Sequence, residues 1–141
     1  AAIMCATLSS AADKLIRAAE VSDMTAAIVL DNLANAMIEQ VCDEAEKEIA
    51  EKATGYYMTW RFSAGYGDLP IEIQENLLRI IDAEKRVGVC ASENSLMMPR
   101  KSVSAIIGLS DRPIERQKQG CQSCNMKGSC QFRERGERCG N

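Results

Sequence analysis

Apolar and polar positions along this chain change period several times, and each change predicts an element. Ala1-Ala2-Ile3-Met4-Cys5-Ala6-Thr7-Leu8 is a short, nearly continuous apolar run that suits a buried strand. Ser9-Ser10 with Asp13 reads as a helix N-cap followed by a first-turn carboxylate, opening a short helix to about Glu20 with Leu15 and Ile16 facing inward. Ser22-Asp23 offers a second N-cap. Beyond it Met24, Ile28, Leu33, Met37, Val41 and Ile49 recur at a helical rhythm, which predicts one long helix to about Ala53, ended by Gly55. The stretch from Asp43 to Lys52 is acidic and reads as a solvated helix surface. Tyr56 to Arg61, aromatic and partly β-branched, predicts a strand. Ile71 to about Arg86 predicts an amphipathic helix with Ile73, Leu77, Leu78, Ile80 and Ile81 as its core stripe. Val87 to Ala91 starts a strand, Glu93-Asn94 is a turn, and Lys101 to Leu109 is a further strand with apolar Val103, Ala105 and Ile107. Helices and strands mix without a clean βαβ repeat, so the expected class is α+β with an antiparallel sheet flanked by helices.

Composition narrows the picture. A chain of 141 residues is one domain with room for a small appendage, and 46% hydrophobic residues support a core. Only 4% are aromatic, so that core is built from Ala, Ile, Leu, Val and Met. A formal charge of -3 gives no case for nucleic acid. No apolar segment is long enough to cross a bilayer and no signal peptide is visible, so a cytoplasmic protein without a membrane role is expected. The chain has no histidine, which removes Ser-His and Cys-His nucleophile arrangements and His-containing zinc sites. Binding and delivery are therefore expected, not hydrolysis.

Candidate chemistry concentrates in two places. Arg61-Phe-Ser-Ala-Gly65-Tyr66-Gly67-Asp-Leu-Pro70 joins two predicted elements through turn-forming residues. Glycines there admit close backbone approach, an arginine can fork onto a carboxylate, and a tyrosine can lie on a flat ring. The plain alternative is a strand that ends in a Gly-rich turn and binds nothing. The second place is the C-terminus, where Cys121, Cys124, Cys130 and Cys139 are separated by two, five and eight residues. Four cysteines so bunched suit a four-thiolate zinc site or an iron–sulfur cluster, here [4Fe–4S], and Lys127, Arg133, Arg135 and Arg138 would favour thiolates. A reduced tail or two disulfides is the alternative. Cys5, Cys42 and Cys90 lie in apolar segments and are expected to be packing residues.

Three ordered motifs carry a family resemblance: Arg61 to Tyr66, Glu93-Asn-Ser-Leu-Met-Met-Pro99, and Ser102-Val-Ser104. In that order and spacing the chain resembles the activation domain of cobalamin (vitamin B12)-dependent methionine synthase, from about Ile3 to Ser110. The tail is foreign to the fused form of that enzyme, and the family has sequence upstream of Ala1, so an N-terminal piece is expected to be missing. The resemblance implies residues 1–110 as an activation-like domain; beyond it the polar stretch 111–120 reads as a linker, and the cysteine spacing makes 121–141 a metal-binding tail with four cysteines. The resemblance also implies an S-adenosylmethionine site in which Arg61 meets the methionine carboxylate, the backbone at Ala64 binds the polar part, Gly65 allows close approach and Tyr66 lies on the nucleoside or sulfonium face. Asn35 stands near a position where the family has an acid, with Glu39 one turn later as the acidic contact. Met97, Met98 and Pro99 would lie near the groove that faces the corrin, or fill core. The implied function is reductive methylation of cob(II)alamin. Its partners would be a cobalamin-binding methionine synthase subunit or other corrinoid protein, with a flavodoxin or ferredoxin as electron donor. The alternative is a metal-stapled, corrinoid-protein-binding accessory module that has lost S-adenosylmethionine.

Overall fold

The computed structural model describes residues 1–114 and 128–135. Its elements in chain order are β1 (Ala2–Thr7), α1 (Ser9–Ser22), α2 (Met24–Lys52), β2 (Tyr57–Met58), a 3-10 turn (Ile71–Ile73), α3 (Gln74–Ile80), α4 (Ala83–Val87), β3 (Cys90–Ala91), β4 (Met97–Met98), β5 (Ser102–Ile107), β6 (Leu109–Ser110) and α5 (Gln131–Glu134). The class is α+β, and every strand pair among the described residues is antiparallel.

β1 and β5 form the central ladder, from Ala2 opposite Ile107 to Thr7 opposite Ser102. On the far edge of β5, Phe62 exchanges both backbone hydrogen bonds with Ile106, and Thr59 pairs with Gly108. β2 then pairs Met58 with Leu109 and Tyr57 with Ser110. Three chain steps from Thr59 to Phe62 oppose two from Gly108 to Ile106. The extra residue is a bulge at Trp60-Arg61, and bulges bend a strand and re-aim its side chains. The predicted strand from Tyr56 to Arg61 is thus interrupted where Arg61 must turn. Gly108 is required at this approach, because a Cβ there would stand 2.8 Å from Thr59 Cγ2.

Helices cover both faces of the ladder. On one side, Ile38 and Cys42 of α2 pack with Met4, Ala6, Met58, Ala105 and Ile107. On the other, Leu78, Ala83 and Val89 pack with Cys5, Ala91 and Met97. Ser104 projects into this second layer and is fully buried, where it accepts a hydrogen bond from Gln74 Nε2 at 2.6 Å. A buried polar pair needs such mutual satisfaction.

Several sequence expectations change here. Asp23 caps α2 as expected, accepting from Thr25 and Ala26 amides. α1, however, has no side-chain cap at its N-cap residue Leu8, and Asp13 accepts the Arg100 amide instead. Leu15 is exposed and only Ile16 is buried in α1. Helix 71–86 is broken into a 3-10 turn and two helices. Asp82 in the left-handed region (φ 50°) ends the first and Gly88 (φ 70°) ends the second, so Val87 closes a helix and does not open a strand. Ile80 is consequently exposed. On α2 the positions Met24, Ile28, Leu33, Met37 and Val41 lie outside, and the core face is Ala27, Ala34, Ile38 and Cys42.

Candidate functional site

The bulge at Trp60-Arg61 aims the Arg61 side chain at α2, where one edge presents Glu39, Asp43 and Glu46. Spacings of four and three residues place these on one helix edge. Arg61 Nη1 donates to Asp43 Oδ1 and to Glu46 Oε1, each at 2.7 Å, and Nη2 donates to Glu39 Oε2. Arg61 is 23% exposed, whereas Glu39 and Asp43 remain largely open to solvent. Partial burial works against the guanidinium charge, but the hydrogen bonds to Asp43, Glu46 and Glu39 outweigh it and hold the arginine above its ordinary value. Three carboxylates against one guanidinium leave the cluster two negative charges in excess.

This arrangement adds partners that the sequence reading lacked. The guanidinium expected to meet a ligand carboxylate is committed to the protein's own acids. Asp43 and Glu46, read as solvated surface, are ion-pair partners. Glu39, expected as an acidic ligand contact, does reach the site, but through Arg61. The signal for all three was the i, i+4, i+7 spacing within an otherwise acidic run.

The loop after Arg61 is a set of tight turns. Gly65 donates to Leu69 O at 2.9 Å, Tyr66 to Ser63 O at 3.2 Å and Leu69 to Tyr66 O at 3.1 Å. Gly65 has φ 87°, and a Cβ there would also crowd Ile71 Cδ1 at 3.1 Å, so glycine is required on both counts. Ala64 is buried and anchors the turn, while Tyr66 is exposed at its tip. Tyr56, Tyr57, Trp60 and Phe62 are exposed as well. The chain has six aromatic residues, and five of them therefore surface within eleven positions.

A second cation meets the same edge of α2 further towards its N-terminus. Lys101 Nζ, mostly buried, contacts Asp31 Oδ1 at 2.8 Å and donates to Asn35 Oδ1 at 2.7 Å. Hydrogen bonding from Lys101, reinforced by the charges of Lys101 and Arg100, holds the Asp31 carboxyl below its usual range. Asn35, expected near an acidic ligand position, is engaged here. Beneath the cluster, burial pushes the Cys42 thiol up to about 11, and burial with the nearby Cys42 does the same for Cys5. Both are thiols at neutral pH, in keeping with a packing role.

The Met97-Met98-Pro99 segment ends in a cis peptide bond before Pro99. Met97 packs against the second core, and Met98 is exposed. A cleft of about 480 Å³ lies elsewhere, along α3, α4 and β3, and none of its lining residues belongs to the Arg61 loop. Of the four tail cysteines, Cys130 lies just before α5 and is partly exposed. Cys121, Cys124 and Cys139 lie outside the described residues. Among the described residues no group of three or more acidic, cysteine or histidine side chains is arranged to hold a metal ion, and no helix is long and apolar enough to cross a membrane.

A protein-family model described as "Vitamin B12 dependent methionine synthase, activation domain" matches residues 2–113. No curated protein matches the chain.

Proposed function

The chain belongs to the vitamin B12 dependent methionine synthase activation-domain family, and from that premise we propose that it reactivates a cobalamin-bearing methyltransferase by presenting S-adenosylmethionine to it. Residues 1–110 form the activation-like domain, 111–120 the linker and 121–141 the metal-binding tail. The observation that carries the reading is the charge imbalance of the Arg61 cluster beside an exposed, aromatic-rich turn. S-adenosylmethionine carries an ammonium and a sulfonium. An acid-rich pocket edge attracts both, and an aromatic face stabilises a cation by about 0.5–2 kcal/mol. Arg61 acts as a positioning residue that holds Glu39 and Asp43 towards the ligand's ammonium. Tyr66 covers the nucleoside or sulfonium, and the Ala64-Gly65 backbone sets the distance. The bound groups supply the methyl and the redox chemistry; the chain supplies proximity and orientation. The cobalamin sits on a methionine synthase subunit or corrinoid protein in the cytoplasm, and electrons come from a flavodoxin or ferredoxin.

The tail fits a cluster by its donor set. Cys121, Cys124, Cys130 and Cys139 supply four thiolates, enough for [4Fe–4S] or Zn. Iron and acid-labile sulfide in anaerobically purified protein support the cluster, and zinc alone replaces it.

Titration calorimetry with S-adenosylmethionine tests the site. Saturable binding that Tyr66→Ala and Glu39→Gln each weaken supports it. A second reading, an accessory module that no longer binds S-adenosylmethionine, is favoured by the commitment of Arg61 to three acids. Absence of binding in the full chain at millimolar ligand selects that reading.

A further inference from the structure

The three acids around Arg61 differ in what they keep for a ligand. Glu46 is 22% exposed and shares Nη1 with Asp43, each at 2.7 Å, so its carboxylate is enclosed in the clamp. Glu39 and Asp43 each give one oxygen to the guanidinium, yet their side chains stay 59% and 60% exposed. The two negative charges that Arg61 leaves over are therefore accessible at these two side chains. Lys47, one turn beyond Asp43, is already paired with Glu44 at 2.6 Å. Among the described residues no three acidic or cysteine side chains converge on a metal position. Glu39 and Asp43 lie four residues apart on α2, so their charges are separated by about one helical turn, ~5.4 Å. Such a pair matches an organic cation that carries two separated positive groups.

We propose that Glu39 and Asp43 are specificity-determining residues that read the ligand's charge, one facing its ammonium and the other its sulfonium, so that the site holds S-adenosylmethionine and releases the demethylated product. The inference rests on the S-adenosylmethionine reading above and adds what that ligand meets and why it leaves. In S-adenosylmethionine three carbons separate the ammonium nitrogen from the sulfur, a span comparable to one turn of helix. Two cationic groups thus face two carboxylates at matching separation, and the ligand's own carboxylate is turned away from α2 by repulsion. Methyl transfer breaks the bond between sulfur and the methyl carbon, and the bonding pair stays on sulfur. The partner's cobalt, reduced by one electron from the donor, takes the methyl group. The product, S-adenosylhomocysteine, is a neutral thioether that keeps only the ammonium. One of the two carboxylates then faces no positive charge, and the chemical step itself removes part of the attraction that held the ligand. Specificity of this kind is a difference between two affinities, set by the charge that one ligand has and the other lacks.

Calorimetry on the full chain with three ligands tests this: S-adenosylmethionine, S-adenosylhomocysteine, and sinefungin, which carries an ammonium where the methyl donor carries its sulfonium methyl. At low salt the two doubly cationic ligands are expected to bind about tenfold more tightly than S-adenosylhomocysteine, and high salt narrows the ratio. Glu39→Gln and Asp43→Asn each keep an acceptor for Arg61, and their unfolding midpoints check that the clamp survives. One of the two variants is expected to weaken only S-adenosylmethionine and sinefungin, which brings the ratio towards one. The other, at the acid that faces the shared ammonium, weakens all three ligands in step. Equal affinity of the wild type for all three ligands overturns the inference and leaves the S-adenosylmethionine reading standing. So does a ratio that neither variant changes, which assigns the discrimination to the Tyr66 ring. Absence of binding by all three overturns the underlying reading, and the inference falls with it.

Discussion

Two cations fasten α2 to the sheet, and they do so with different charge balance. Lys101, just before β5, meets one carboxylate and one amide, Asp31 and Asn35, and its pair is neutral. Arg61, at the bulge after β2, meets three carboxylates and leaves two negative charges over. Both cations engage the same edge of the same helix, so position alone does not separate them. Stoichiometry does. A neutral clamp is complete once folded. A clamp with excess acid holds its helix and still attracts a cation from outside, which is what a site for a sulfonium ligand requires.

Stability tests the difference most strongly. Arg61→Met removes the one charge that lets Glu39, Asp43 and Glu46 sit together. It is expected to cost about 2–3 kcal/mol, below the full cost of breaking a buried pair because two of the three acids are solvated. Lys101→Met leaves a single, partly exposed Asp31 and is expected to cost about 1 kcal/mol or less. Urea unfolding measures both. Equal costs would mean that the three acids relax into solvent without strain, and the contrast between the clamps would disappear.

How much of this was legible in the chain depends on the kind of signal. The extent of α2, the Asp23 cap and the central strand with Val103, Ala105 and Ile107 followed from local periodicity and capping chemistry. So did the α+β class. The face α2 buries did not follow. Met24, Ile28, Leu33, Met37 and Val41 are more hydrophobic than Ala27, Ala34 and Cys42, but the fold buries the smaller residues. Choosing between two apolar faces is a tertiary decision. The break at Ile81-Asp82 was hidden because a left-handed aspartate looks like any helix-surface acid in sequence. The Arg61 turn was found through its glycines and its resemblance to a family loop. The direction of its guanidinium was not, since a single-residue bulge, visible only once β2 is registered against β6, decides it.

Ligand affinity sharpens the comparison at the level of function. Glu39→Gln reduces the excess charge at the Arg61 clamp and keeps a hydrogen-bond acceptor for Nη2. It is expected to weaken S-adenosylmethionine about tenfold, a loss of ~1.4 kcal/mol. Asp31→Asn removes the same charge from the Lys101 clamp and is expected to leave the affinity unchanged. Calorimetry on the two variants side by side isolates location from net charge. Equal losses would show that long-range charge, not the Arg61 cluster, draws the ligand.

The smallest expected effect concerns acid. The Asp31 carboxyl is held below its usual range chiefly by the hydrogen bond from Lys101, while partial burial opposes the shift. A carboxyl whose folded value is depressed contributes stability that is fully present above its unfolded value, ~3.9. That contribution is lost as pH falls through the lower, folded value, because protonation then dissolves the pair. The stability difference between wild type and Lys101→Met should therefore be constant from neutrality to about pH 4 and shrink below it. Since Asp31 is 40% exposed, the difference at stake is under about 1 kcal/mol. Unfolding midpoints of the two proteins across that range measure it. A difference that persists undiminished into strong acid would assign the role of Lys101 to packing of its aliphatic stem, and the two clamps would then differ in kind as well as in charge.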